Sequence, residues 1–239
     1  MFYYLISSLL SYKLFLIVAA VVPAVLLMVK VYRSDRLEKE SPAMLWSLAK
    51  AGVFSALIAL VAERILGLLL NLAVPQSSGL YPLILYFIVV AISEEGAKYF
   101  LLKRRSWTSP EFNCQYDGVV YAVFVALGFA LWENISYVLH YGLRAVIIRA
   151  LTAIPGHACF GVFMGVFYGL AKRYERAGDN ERSKQFRILA LVVPAALHGA
   201  YDYIASVNTS VLYFVVFVGV LFVGSYLLVG KLSKNDKFL

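Results

Sequence analysis

Apolar residues in this chain gather in seven long runs, separated by short polar or turn-rich connections. A helix that crosses the hydrocarbon core of a bilayer needs about 20 mostly apolar residues. Residues 14–31, 44–70, 81–102, 117–139, 149–171, 188–206 and 211–230 each meet that need. The pattern predicts an all-α, polytopic membrane bundle of about seven transmembrane helices, with residues 1–239 forming a single membrane-embedded domain. The second run is long enough to tilt or to end early. Connections such as 71–80, with Pro75 and Gly79, read as turns. Residues 1–12 are apolar but have no basic start, and no small-residue cleavage site closes the next run. Residues 14–31 therefore read as a retained span and not as a signal peptide, with 1–12 as an interfacial or partly inserted segment.

Composition adds a direction. Hydrophobic residues make up 62% of the chain and mean hydropathy is +0.77, beyond the roughly half-apolar usage of soluble domains, so the excess faces lipid. A net charge of +8 raises the question of a nucleic-acid partner, but the basic residues sit between the apolar runs. Of 22 Lys and Arg residues, four fall in 30–43, three in 103–116, six in 172–187 and three in the tail after 230. The intervening connections hold only Lys13, Arg144 and Arg149. The positive-inside rule then puts the N-terminus outside and the C-terminus in the cytoplasm, in a cell membrane and without a nucleic-acid partner. The stretch 172–187 reads as the longest loop. Cys114 and Cys159 are too few for a disulfide framework and read as free thiols. The sequon Asn208-Thr209-Ser210 lies too close to the membrane to be credited as a glycosylation site.

Ionisable residues inside these runs need a reason, since each costs about 2.5–3.5 kcal/mol at mid-membrane. In the third run, Lys98 is i+4 from Glu94 and i+3 from Glu95, within reach of both on one helix face. An ion pair that glues helices explains one Glu and one Lys. It leaves a second carboxylate unpaired, a setting suited to a general base. In the fourth run, Gly118, Ala122, Ala126 and Ala130 recur every four residues and end at Asn134, with Glu133 beside the stripe. His157 opens a second stripe in the fifth run with Gly161, Gly165 and Gly169. Both are small-xxx-small patterns that let helices approach closely. Pro155 just before His157 is placed to loosen the helix start. In the sixth run, His198 and Asp202 share a face, with Pro194 four residues earlier; such a pair can orient an imidazole, share a proton or hold a metal. Glu94, Glu95 and His198 fall near mid-depth, and Glu133 and His157 in the outer half. His140, at an outer helix end, carries no clear role. Four successive runs that converge carboxylates and histidines resemble an acid/base or metal-assisted hydrolytic site.

These motifs, in this order, resemble the PrsW family of intramembrane proteases, distant relatives of type II CAAX endopeptidases and bacterial CPBP proteins. The resemblance rests on EExxK at 94–98, FxxxEN at 129–134, the single His157 and HxxxD at 198–202, with support from DGVVY at 117–121 and the proline-then-basic first connection. It covers roughly residues 20–205, with the motif-bearing core at about 81–205. The CAAX relatives carry His where this chain has Glu133, and usually Asn where it has Asp202, so the acid/base set here is richer in carboxylate.

The resemblance implies peptide-bond hydrolysis of a single-span membrane protein, by analogy the first, outer-side cut of an anti-sigma factor in regulated intramembrane proteolysis. Among the catalytic residues Glu94, Glu95, His157 and His198, Glu94 or Glu95 activates water, with Glu94 favoured by analogy, and the other pairs with Lys98. His157 or His198 stabilises the oxyanion or donates to the amine. Asp202 orients His198, while Glu133 and Asn134 position water or substrate. A zinc site built from His157, His198 and a carboxylate is the alternative; no HExxH is present, and the metal-independent mechanism is preferred. Rival classes are a proton-coupled transporter or channel, disfavoured by the lack of an inverted repeat, and a non-catalytic scaffold.

Overall fold

The computed structural model describes residues 2–207 and 210–239, with side chains from residue 11 onward apart from position 145. Asn208 and Thr209 of the sequon lie outside the described residues. The helices are α1 (Phe2–Ser34), α2 (Pro42–Ala73), α3 (Leu80–Ser106), α4 (Asp117–Tyr141), α5 (Leu143–Leu151), α6 (Ala153–Arg176), α7 (Asn180–Ser206) and α8 (Val211–Lys234). Among the described residues the only extended pairing is an isolated bridge between Cys114 and Phe238. Seven helices are long and apolar enough to cross a membrane, as the apolar runs predict, and the chain is a multi-pass membrane protein.

Three boundaries differ from expectation. Residues 2–12 do not form a separate segment but continue α1. The stretch 172–187 is not a loop. The helix-favouring Lys, Arg, Glu and Gln residues there extend α6 and α7 beyond their apolar runs, leaving a three-residue turn. In it the Gly178 N–H donates to the Glu175 carbonyl, the Asp179 N–H to that of Tyr174, and the Asp179 side chain accepts from the Arg182 N–H. Ahead of His157 the helix does not merely loosen at Pro155. It breaks at Thr152, where φ −124° and ψ −68° leave the helical region, and α5 ends as a separate nine-residue helix. Pro155 sits in the first turn of α6, where a missing N–H removes no helix bond.

The central helix is α4, buried along most of its length and packed most extensively against α6, with α2 and α1 on its other sides. The two small-residue stripes meet each other: Gly161 lies on Ala122, Val123 and Ala126, and Gly165 on Gly118 and Val119. A Cβ on Gly165 would overlap that backbone. In lipid there is little hydrophobic drive between helices, so this close van der Waals approach is what joins them. Large apolar side chains such as Trp46, Phe54, Leu68 and Leu72 of α2, and Val211, Tyr213 and Val220 of α8, are exposed on the perimeter, where acyl chains would cover them.

The basic connections meet at one end of the bundle. There the Tyr121 hydroxyl donates to Glu40 (2.7 Å), and the backbone N–H groups of Asn113 and Cys114 donate to Asp117 (3.0 and 2.6 Å). The tail is held by Gln115 N–H to the Lys237 carbonyl and Leu239 N–H to that of Asn113. Burial raises the carboxyl of Asp35 to about 6 and that of Glu40 to about 7. Cys114 and Cys159 are free thiols, both buried.

Candidate active site

Six residues of α3, Leu85–Val90, form a π-helical segment just ahead of the EExxK turn. Such wider turns shift the register of the helix beyond them and recur at functional sites. The Phe87 ring of this segment presses on α7 at Gly199, where a Cβ would lie 2.6 Å from Phe87 Cδ1. Only glycine permits that approach, and it brings His198, the preceding residue, onto the carboxylates of α3.

A continuous line of polar contacts then crosses the bundle. Lys98 Nζ donates to Glu94 Oε2 (3.1 Å) and Glu95 Oε1 (2.7 Å), and faces His157 Nδ1 at 3.2 Å. The second carboxylate is thus not left unpaired, contrary to the expectation from sequence: one ammonium serves both. An ammonium has no acceptor, so His157 Nδ1 must accept, and its Nε2–H donates to Glu133 Oε2 at 2.8 Å. His198 differs. Its Nδ1 meets Glu95 Oε1 at 2.9 Å and its Nε2 lies 3.4 Å from Asp202 Oδ2; both nitrogens face carboxylate oxygens and are placed to donate. Phe160 stacks on the His198 ring (centroids 4.8 Å apart, planes 19° apart) and fixes its orientation.

Glu133 gains a further partner from outside the four motif-bearing helices. Arg149 of α5 reaches back so that its Nη2 lies 2.8 Å from Glu133 Oε2 and its Nε donates to Asn134 Oδ1 at 3.0 Å, while its guanidinium covers the Tyr137 ring. Asn134 donates in turn to the Ala20 carbonyl of α1 (3.0 Å) and is fully buried. Its amide is committed to helix packing and to Arg149, so the expected role in positioning water or substrate does not fit its placement.

A cavity of about 1100 Å³ opens on this line. Glu94, Glu133, His157, His198 and Asp202 line it, whereas Glu95 and Lys98 lie behind its wall. Its other lining residues come from the middle and later half of α2, the start of α3, the end of α4, α5, the start of α6, the end of α7 and the start of α8, so it occupies the half of the bundle away from the basic connections. His140 stands on its rim. Two lining residues were not expected from sequence. Arg149 read only as a connection charge, because its partner lies on another helix. Glu63 carries the same sequence signal as the others, an acid inside an apolar run, here the second. It is half-buried, within electrostatic reach of Glu133, His198, Lys98 and Asp202, and makes no hydrogen bond or ion pair among the described residues.

One group of side chains has the composition of a metal site. Glu94, Glu95 and His157 each offer a donor atom, all within 4.8 Å of one another. These residues do not fit a metal as they stand, because Lys98 Nζ already contacts all three. The expected alternative set, with His198 as a ligand, would need a nitrogen that already faces a carboxylate, Glu95 at Nδ1 or Asp202 at Nε2.

Residues 40–227 match the family described as PrsW family intramembrane metalloprotease. Among curated proteins, the chain is similar to a Protease PrsW of Shouchella clausii, 30% identical over 226 residues that cover 93% of this chain and 98% of the relative. A Protease PrsW of Clostridioides difficile is 29% identical, covering 82% and 81%. A Protease PrsW of Bacillus subtilis is 38% identical over a shorter stretch, 54% of this chain and 57% of that protein's length. No solved structure matches the fold. Similarity of this breadth, running from the second span into the last, means that the chain belongs to the PrsW family.

Proposed function

We propose that the protein is an intramembrane endopeptidase that cuts a single-span membrane protein in the half of the bilayer opposite the basic connections. By the positive-inside rule that half is the outer one, which agrees with a first, outer-side cut of an anti-sigma factor. The observation that carries the reading is the division at the EExxK turn: Glu94 lines the cavity beside His198, while Glu95 is fully buried and bound to Lys98 and His198. Only one oxygen of Glu94 is engaged by Lys98.

In this mechanism Glu94 takes a proton from a water in the cavity, and the resulting hydroxide adds to the scissile carbonyl carbon. His198 is held at Nδ1 by Glu95; its Nε2, only loosely beside Asp202 at 3.4 Å on the cavity side, turns its N–H to the developing oxyanion and gives the proton to the amine as the C–N bond breaks. Asp202 and Glu95 hold its ring from either side. Glu133, fixed by Arg149 and His157, sets the opposite wall, where it orders water or the substrate backbone. The family's description implies a metal, which would supply Lewis-acid activation of water or carbonyl; no step here is routed through one, since the donors are engaged by Lys98.

The test is cleavage of candidate single-span substrates by purified protein in proteoliposomes. Cleavage by wild type but not by folded Glu94→Gln, at equal amounts of folded protein, supports the assignment. Substrate-free ion or solute flux, with no cleavage, would replace it with the transporter reading.

A further inference from the structure

We infer that the Lys98 ammonium is the resident cation of this site, holding the place between Glu94, Glu95 and His157 that a metal ion takes in a metallopeptidase, and that removing it opens a metal site. The inference concerns the cation of the hydrolase site proposed above, but its test reads metal binding and does not depend on cleavage.

Lys98 touches a donor atom of each of the three residues that could hold an ion: Glu94 Oε2, Glu95 Oε1 and His157 Nδ1, at 3.1, 2.7 and 3.2 Å. An ammonium has three N–H donors, and these three acceptors use all of them. The same lone pairs would have to serve a metal, at about 2.0–2.2 Å. The donor atoms spread over up to 4.8 Å, a separation suited to N–H···O contacts and loose for direct coordination. The Phe129 ring lies 3.9 Å from Nζ by its centroid and closes the remaining side with its negative face.

Lys98 also has nowhere to go. Its side chain is 1% exposed, so it cannot snorkel to an interface, and displacement would strand an ammonium in an apolar interior. An ammonium and a divalent ion in one cage would repel at contact distance. The cage is also filled from its other side: Glu95 meets His198 Nδ1 at 2.9 Å as well as Lys98, and the far nitrogen of His198 faces Asp202.

The experiment uses the full chain in detergent, stripped with chelator, equilibrated with zinc chloride or cobalt(II) chloride, desalted and assayed for metal content. Wild type should retain no stoichiometric ion. Lys98→Ala and Lys98→Met should each retain one per chain, with a cobalt d–d spectrum that disappears when His157→Ala is added. One ion per wild-type chain, lost on His157→Ala, would overturn the inference, as would folded Lys98 variants that bind none. Should both variants fail to fold, wild type decides alone: no uptake upholds the inference and a His157-dependent ion defeats it. Failure of wild type to cut any substrate would remove the proposed function while leaving the metal result intact.

Discussion

Glu94→Gln and Glu95→Gln should separate catalysis from stability at adjacent positions. Lys98 Nζ lies 2.7 Å from Glu95 and 3.1 Å from Glu94, attractions of about 6 and about 5 kcal/mol at an effective dielectric near 20, before desolvation. Removing one partner of a buried pair costs about 3–5 kcal/mol net. Glu95 is fully buried and also accepts from His198, so Glu95→Gln should bear that cost and lower Tm by roughly 6–20 °C for a chain of this size. Glu94→Gln leaves Glu95 with Lys98 and faces the cavity, so its stability loss should be about 1–3 kcal/mol. Its rate should fall about 10²–10⁴-fold, the usual effect of losing a general base. Tm in detergent, and initial cleavage rates in proteoliposomes corrected for the folded fraction, measure the two effects. Equal Tm losses, or a Glu94→Gln rate above about a tenth of wild type, would refute the division of labour.

Arg149→Ala should reduce the cleavage rate about 10–100-fold and cost about 1–3 kcal/mol of stability, because it frees Glu133 from its ion pair and leaves the buried Asn134 Oδ1 without its donor; Arg149→Lys should recover part of the rate, being unable to engage Glu133 and Asn134 in the same bidentate way. Gly165→Leu should force α4 and α6 apart and destabilise the fold by about 3 kcal/mol or more, read as a fall in Tm. Asp35 and Glu40 hold their protons to about 6 and about 7 when folded, above the values of the unfolded chain. The folded state therefore binds more protons at these two positions, and their contribution to stability is fullest below about pH 4 and declines as pH rises through 6–7. Asp35→Asn and Glu40→Gln should flatten that decline and raise Tm at pH 8, measured by thermal unfolding between pH 5 and 8.

Hydropathy sets the number of spans because lipid leaves few alternatives to a continuous helix, and all seven apolar runs lie within spanning helices. The stripes on α4 and α6 were equally legible, since repeats four residues apart define a face whatever lies opposite. That the two faces meet each other was not, because nothing in either sequence names its partner. The same limit runs through the site. The pairing of Lys98 with Glu94 and Glu95 is local and follows from spacing. The link from Arg149 to Glu133, and the contact of Lys98 with His157, depend on where α5 and α6 dock. The break at Thr152 is masked in the sequence by Pro155, three residues further along, which carries the stronger local signal, and the π-helical segment Leu85–Val90 leaves no signature in an apolar run.

The pairing within α3 bears on how the protein is made. Glu94, Glu95 and Lys98 occupy one turn, so this segment brings its own counter-cation when it partitions from the translocon, well before its neighbours are synthesised. Glu133 has no such companion on α4: Arg149 and His157 both emerge later. A lone carboxylate within the hydrocarbon carries a penalty that reaches about 2.5–3.5 kcal/mol at mid-membrane. The fourth segment is therefore expected to linger at the protein-lined exit until the fifth and sixth helices arrive, and to enter the bilayer with them as a unit.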